Sequence, residues 1–371
     1  MHGSIHLGRI AGISIDLHFT WFIMFAFVVF IVVTQWLPPT GIEPGARWLL
    51  GVVLAIVFFV TLLLHELAHS LVAKRLGIGI SGITLFIFGG VSRMTSEPKT
   101  AADELKMAIV GPLTSAILGV VFLSAASAVH NVGASEALRL GLFWLGLINL
   151  TLAGFNLLPG FPLDGGRVLR AAVWSATNDL RHATYIAATA GQGLGYALMA
   201  FGVLGLFLTA WNGVLLILLG WFLLDAARSS YQQQLLQNAL SGVHVRDIMT
   251  QNVVTIPPEL TLQQAVDNYF LRLNHAAFPV AQDHHVSGIL TLPHVRQVPR
   301  EQWPYTRAGD VVDALDSSDF MRPDADVWDA LTAMATKDSG RLLVVEDGAL
   351  VGIISRTDIM RFLRTKMALG A

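Results

Sequence analysis

Not one cysteine occurs in the 371 residues, which excludes disulfides, thiolate metal sites and cysteine nucleophiles together. Any metal must be held by histidine, aspartate, glutamate or backbone oxygen. Charge is scarce as well: Asp, Glu, Lys and Arg make up 13% of the chain, about half of what a soluble domain carries. That deficit calls for a second solvent, and apolar runs near the ~20 residues of a bilayer-spanning helix supply the reason. Nor is there a surplus of positive charge. A formal net charge of −2 offers no field to gather phosphates, so nucleic acid is excluded as a bulk partner. The stretch from Met1 to His18 lacks a lysine-rich start and a small-residue cleavage site, so no removable signal peptide is expected.

What is present divides in two. Six stretches are candidate spans: Phe19–Trp36, Trp48–Leu71, Met107–Val129, Leu138–Leu158, Ala183–Leu208 and Gly213–Ala226. Trp211-Asn212-Gly213 suits a tight turn between the last two. The loop after the second span holds Lys74, Arg75, Arg93, Lys99 and Lys106, and the loop after the fourth holds Arg167, Arg170 and Arg181. The opposite side has only Arg47 and Arg139, so both termini are expected in the cytoplasm, with the chain in the cell's inner membrane. Past Asp225 a Gln-rich connector, Arg228 to Asn238, leads to short apolar strands that alternate with helical patterns. Strands Ala277–Val280 and Ser287–Leu290 with helix Leu262–Phe270 are matched later by Arg341–Val345, Leu350–Ile354 and Val327–Ala335. That is an internal repeat of roughly 50–65 residues. The expected fold is a polytopic α-helical membrane protein of about six spans with a C-terminal soluble α+β pair. Its domains are 1–227 in the membrane, a linker at 228–242, and repeat units at 243–300 and 301–371.

The second span contains His65-Glu66-Leu67-Ala68-His69. Positions four apart share a helix face one turn along, so two imidazoles can meet one zinc ion while Glu66, ~100° round, reaches its water. Three ionisable groups in five positions of an apolar helix each cost ~2.5–3.5 kcal/mol at mid-span, and a divalent cation offsets that cost. A catalytic zinc takes a third protein ligand. The fourth span ends in Asn156-Leu-Leu-Pro-Gly-Phe-Pro-Leu-Asp164-Gly-Gly-Arg167, where Pro159 and Pro162 cannot continue a helix. Asp164 on that unwound stretch is the natural third ligand, near the same bilayer face as His69. His18 is read as boundary material and not as a fourth ligand. Gly191 and Gly195 are read as helix packing.

A substrate that spans the membrane must unwind before its backbone can be cut, and lipid offers the freed groups no partners. Leu85, Phe86, Ile87 and Phe88 belong to a β-prone run, and Gly89 and Gly90 permit close backbone approach. This segment is expected to lend the substrate a strand edge.

These residues resemble the site-2 protease family of intramembrane zinc metalloproteases, in its prokaryotic branch with paired cystathionine-β-synthase-type (CBS) domains. The resemblance is carried by His65–His69 and the Asn156 to Gly166 stretch. Gly111-Pro112 opening the third span, Phe88-Gly89-Gly90-Val91 and the start Leu7 to Ile13 support it. It implies that His65, His69 and Asp164 bind one zinc, that Glu66 is the general base, and that Asn156 donates to the oxyanion. The implied activity is regulated intramembrane proteolysis of a single-pass membrane protein in the lipid bilayer. The repeats end in Gly288-Ile-Leu-Thr291-Leu-Pro-His294 and Gly352-Ile-Ile-Ser355-Arg-Thr357-Asp358. The second resembles the CBS segment that meets ATP or another adenine nucleotide, which assigns Thr357 and Asp358 to it. In the first, His294 replaces that Asp and Pro293 removes an amide donor. A homodimer through the CBS domains is a further implied partner. Two rival classes remain, a nucleotide-gated transporter or channel and a catalytically dead scaffold. A permeation path would spread ionisable groups along the spans, whereas here they gather at one end around the zinc motif.

Overall fold

Ile13, Ile15 and Leu17 alternate with Ser14, Asp16 and His18, a period of two that gives a strand one apolar face. The computed structural model describes residues 4–369 apart from 38–42, 88, 95, 132–134, 209, 274, 283–284 and 338. In it that stretch is β2 (Ile13–His18). β2 pairs antiparallel with β1 (Ser4–Ile10) and parallel with β3 (Ile80–Phe86), and β3 pairs antiparallel with β4 (Gly89–Met94). The buried face, Ile13, Ile15, Leu17, Ile83 and Leu85, packs on Leu67 of a long helix, α2 (Pro44–Arg75). The β1–β2 hairpin has no counterpart among the sequence expectations, which place nothing regular before residue 19.

The ends of α2 follow ordinary rules. Pro44 takes the first helical position, where its missing N–H is no loss, and Lys74 and Arg75 complement the dipole in the last turn. Between them the helix is two-sided. Leu54, Ala55, Phe59, Leu62 and His65 are buried, whereas Val53, Ile56, Val60 and Leu64 are exposed. In water that outer row would be a patch in need of a partner; in a bilayer it is the solvated face. α3 (Ala101–Asn131), α4 (Glu136–Asn156), α6 (Leu180–Leu208) and α7 (Ala210–Leu240) are built the same way. Among the described residues these five are the helices long and apolar enough to cross a membrane. The first expected span appears as α1 (Thr20–Ile31), continued by a wider turn at Val32–Trp36. It is apolar but shorter than the other five.

Four boundaries correct the sequence reading. Trp211-Asn212-Gly213 lies in the first turns of α7, which begins at Ala210 after α6 ends at Leu208; residue 209 lies outside the described residues. The Gln-rich stretch from Arg228 to Asn238 continues α7 as helix, because its Gln, Leu and Arg residues are good helix formers. Gly111-Pro112 does not open the third span, since α3 starts ten residues earlier at Ala101. Finally, the chain after Asn156 does not stay unwound: α5 (Asp164–Thr177) resumes at Asp164 itself. Gly195 meets the backbone of Gly220 on α7, the expected small-residue packing, while Gly191 admits the Phe161 carbonyl.

The chain divides into two compact units, residues 1–234 and 235–371. The second unit is the expected doubled module. β5 (Ala277–Gln282) pairs with β6 (His285–Thr291), and β8 (Arg341–Glu346) lies between β7 (Phe320–Met321) and β9 (Ala349–Ser355). Each sheet has its own core, one around Phe278, Val280 and Leu290 and one around Leu342, Val344 and Ile354. Thr250, near the start of the first repeat unit, pairs with Ile353 in the second, so the halves are interlocked.

Candidate metal centre

The side chains of His65, His69 and Asp164 converge. Nε2 of His65 lies 3.1 Å from Asp164 Oδ2, Nε2 of His69 lies 3.2 Å from the same oxygen, and the two Nε2 atoms are 3.2 Å apart. A tetrahedral zinc with bonds of about 2.0–2.1 Å separates its ligand atoms by about 3.3–3.4 Å, so the triangle is the right size for one shared ion. Its chemistry points the same way. His69 Nδ1 is 2.6 Å from the Met107 carbonyl, which can only accept, so Nδ1 carries the hydrogen and Nε2 is left with its lone pair. That lone pair faces a carboxylate oxygen and a second imidazole nitrogen. Electron-rich atoms held together in this way suit a shared cation. Burial pushes the Asp164 carboxyl up, but the two imidazoles more than offset it and hold the group below the ordinary carboxylate range, as an anion.

The arrangement has support one layer out. His65 Nδ1 sits 2.9 Å from Ser115 Oγ, and this contact together with the Met107 bond turns both Nε2 atoms inward. Gly111 lies between those two supports on α3, and a Cβ there would overlap Nε2 of both histidines. Only glycine lets α3 approach so closely. Met107, Gly111 and Ser115 recur at helical spacing on one face of α3. The spacing is visible in the sequence, but its target on α2 is not.

Asp164 is the first residue of α5, following a turn in which Phe161 N–H donates to Ala187 O and Leu163 N–H to Gly160 O. Glu66 faces a cavity of about 360 Å³ that also receives His65, His69, Asp164, Asn156 and Arg167. A side chain at Gly90 would overlap that of Glu66, so β4 passes directly over the carboxylate. Asn156, the last residue of α4, reaches the same cavity, although its amide donates to its own helix at Leu152 O, 3.0 Å. One of its two N–H bonds is therefore already used.

The substrate-edge expectation needs correction. Leu85 and Phe86 belong to β3, which is paired on both sides by β2 and β4, and Leu85 is buried. Ile87 N–H donates to Thr20 Oγ1, and Phe88 lies outside the described residues. The sheet has two edge strands, β1 and β4, and it is β4 that begins at Gly89 and Gly90, which line the cavity. His18 Nδ1 bonds to Thr20 Oγ1 at 2.8 Å, away from the triangle.

In the second unit Asp358 turns back on its own helix, Arg356–Ala368. Its Oδ2 accepts from Ser355 N–H at 3.0 Å and from Ser355 Oγ at 2.6 Å, while its own N–H donates to Ser355 Oγ. Thr357 is exposed beside it. In the first repeat His294 Nε2 lies 3.3 Å from Asp313, and its buried Nδ1 has no hydrogen-bond partner among the described residues.

Comparison with known proteins adds an independent finding. The sequence model of Peptidase family M50 matches residues 53–141 and 127–201, and that of the CBS domain matches 245–301 and 318–365. Rip3 of Mycobacterium tuberculosis is 35% identical over 98% of this chain and 93% of its own. Zinc metalloprotease MJ0392 of Methanocaldococcus jannaschii is 34% identical over 97% of this chain and 96% of its own. Among solved structures, a site-2 protease from Methanocaldococcus jannaschii is 35% identical, with a TM-score of 0.45 over 62% of this chain and 95% of that one.

Proposed function

The chain belongs to peptidase family M50, the site-2 protease family of membrane zinc metalloproteases, with a C-terminal CBS pair, and from that premise we propose that it cuts single-pass membrane proteins within or near their transmembrane segments. The observation that carries this reading is the approach of His65 Nε2, His69 Nε2 and Asp164 Oδ2 to within 3.2 Å of one another. These are the zinc ligands. Bound zinc supplies a Lewis acid and activates water at neutral pH. Glu66 takes a proton from the attacking water onto its carboxylate and returns it to the leaving amine nitrogen. Asn156 turns its remaining N–H toward the oxyanion. The substrate backbone, unwound at the scissile bond, pairs along β4 from Gly89, which satisfies groups that lipid would leave bare.

The CBS pair takes ATP or another adenine nucleotide at Thr357 and Asp358, and its occupancy modulates cleavage. It also joins two copies of the chain. The protein sits in the inner membrane with both termini in the cytoplasm, a reading supported by the excess of Lys and Arg after the second and fourth expected spans.

The test uses full-length protein purified with a co-expressed single-pass substrate. Wild type should contain zinc and cleave; Glu66→Gln should keep its zinc and lose cleavage by about 10²–10⁴-fold. Cleavage by Glu66→Gln at the wild-type rate, or a wild type without zinc, would overturn the assignment. Prolines placed in turn at Val91 and Ser92 test the strand, because neighbouring N–H groups point to opposite sides. At least one of them should cut cleavage and leave zinc content unchanged.

A further inference from the structure

The zinc chemistry leaves one buried pair of charges without a task. Glu104 is fully buried and Arg170 is 5% exposed, so neither is a solvated surface group. Arg170 Nε donates to Glu104 Oε1 at 2.7 Å, and Nη2 contacts the same oxygen. Nη1 donates to Gln234 Oε1 at 3.4 Å, Glu97 Oε2 lies 3.7 Å away, and the guanidinium stands 5.3 Å from the centre of the Phe161 ring. One side chain thereby ties α5 to α3, to α7 and to the turn that leads into Asp164.

A buried ion pair is a poor source of net stability, because desolvation cancels much of the attraction. What it gives is a fixed register between the elements it joins. The position of Glu104 on α3 shows which register that is. Glu104, Met107, Gly111 and Ser115 follow one another at spacings of three, four and four, so they share a helix face. Met107 holds His69, Ser115 holds His65, and Gly111 admits both rings. The remaining member of that face reaches α5. Asp164 precedes Arg170 by six residues of unbroken helix, less than two turns, so a shift of Arg170 is a shift of Asp164.

We propose that the Glu104–Arg170 pair is a positioning device that sets Asp164 against the face of α3 already holding the two histidines. All three ligands then take their places from one ruler. The inference rests on the zinc-ligand assignment above, and neither Glu104 nor Arg170 lines the cavity that His65, His69 and Asp164 share.

The decisive experiment is a double-mutant cycle on purified full-length protein, read by zinc competition against a chromophoric chelator and by the visible spectrum of the cobalt-loaded form. Thermal unfolding of the metal-free protein serves as the folding control. Arg170→Gln should weaken zinc about 10–100-fold and shift the cobalt bands, and Arg170→Lys, which keeps the charge but not the fork, should fall between. If Arg170 acts through Asp164, Arg170→Gln adds no further loss in an Asp164→Ala background. A purely structural residue would add its full effect there, and that result overturns the proposal. So would wild-type zinc affinity and an unshifted cobalt spectrum in Arg170→Gln. Should that variant not fold, Glu104→Gln, neutral and of the same shape, takes its place in the cycle, and the same results support or overturn the proposal. A wild type that takes up no zinc fails the ligand assignment itself and is told apart by that control.

Discussion

Asp164 and Asp358 each stand in the first turn of a helix, one in each unit, and they use that position in opposite ways. Asp164 turns away from its helix toward histidines 99 and 95 positions earlier in the chain. Asp358 turns back on a serine three positions earlier and caps its own helix. The residue type and the helix turn are alike; what differs is the place within the turn, first for Asp164 and third for Asp358, and the local competition. Leu163, ahead of Asp164, offers no side-chain hydrogen bond at the N-cap, so the carboxylate is free for distant partners. Ser355 and Asp358 satisfy each other, the reciprocal pattern of a capping box. A carboxylate that its own backbone does not need is the better candidate for a ligand.

The strongest way to break this comparison is to remove each carboxylate in turn. Asp164→Ala should weaken zinc, still measurably by chelator competition, until less than one equivalent survives purification, and should lower cleavage by more than about 100-fold, beyond what loss of an outer partner costs. Asp358→Ala should leave zinc content at the wild-type level, as measured by elemental analysis of the purified protein. If the two variants lost zinc alike, the division of labour drawn between them would be wrong.

A smaller effect sharpens the same point from the side of α3. Gly111→Ala places a methyl group against both Nε2 atoms, so the helices must separate or the rings must turn. Zinc affinity should fall about 10–100-fold. Ser115→Ala removes only the hydroxyl that orients His65 and should cost about tenfold in zinc affinity at the low end of that range. A Gly111→Ala protein with wild-type affinity would show that the close approach of α3 has no bearing on the metal.

The two carboxylates also mark what the sequence can disclose. His65, Glu66 and His69 are legible because four-residue spacing on an apolar helix has one economical explanation, a shared cation. Asp164 is suggested by its place on a proline-broken stretch near the same bilayer face as His69, but its helix is not: Pro159 and Pro162 announce a break, and nothing local says that the chain recoils at once into α5. The repeats show through because β5, β6, β8 and β9 are short continuous apolar runs. The β1–β2 hairpin was readable from its alternation and obscured by the span that follows it. The pairing of β3 on both sides was beyond reach, since β2 comes from more than sixty residues earlier and strand order is a tertiary fact. Met107, Gly111, Ser115 and the Glu104–Arg170 pair share that difficulty. Gly111, Ser115 and Glu104 each have a one-residue signal, a polar or small side chain in an apolar helix, whereas Met107 acts through its backbone carbonyl and has none; in every case the meaning lies on another helix.

The smallest expected effect belongs to Asp358, and it separates the two roles that residue could play. As a cap alone, its replacement by Ala should cost about 0.5–2 kcal/mol, seen as a drop of a few degrees in the unfolding of the CBS pair within the full-length protein. Asp358→Asn keeps an oxygen that can accept from Ser355, so a capping role predicts little loss in that variant. Nucleotide binding predicts a different pattern. ATP, as a ligand of the folded state only, should raise the wild-type unfolding temperature in proportion to the logarithm of its concentration above the dissociation constant. A ribose contact made through the Asp358 carboxylate should then be weakened in both variants, whatever their stability without ATP. An ATP shift that survives in Asp358→Asn and Asp358→Ala would assign this aspartate to the helix and move the nucleotide contact elsewhere.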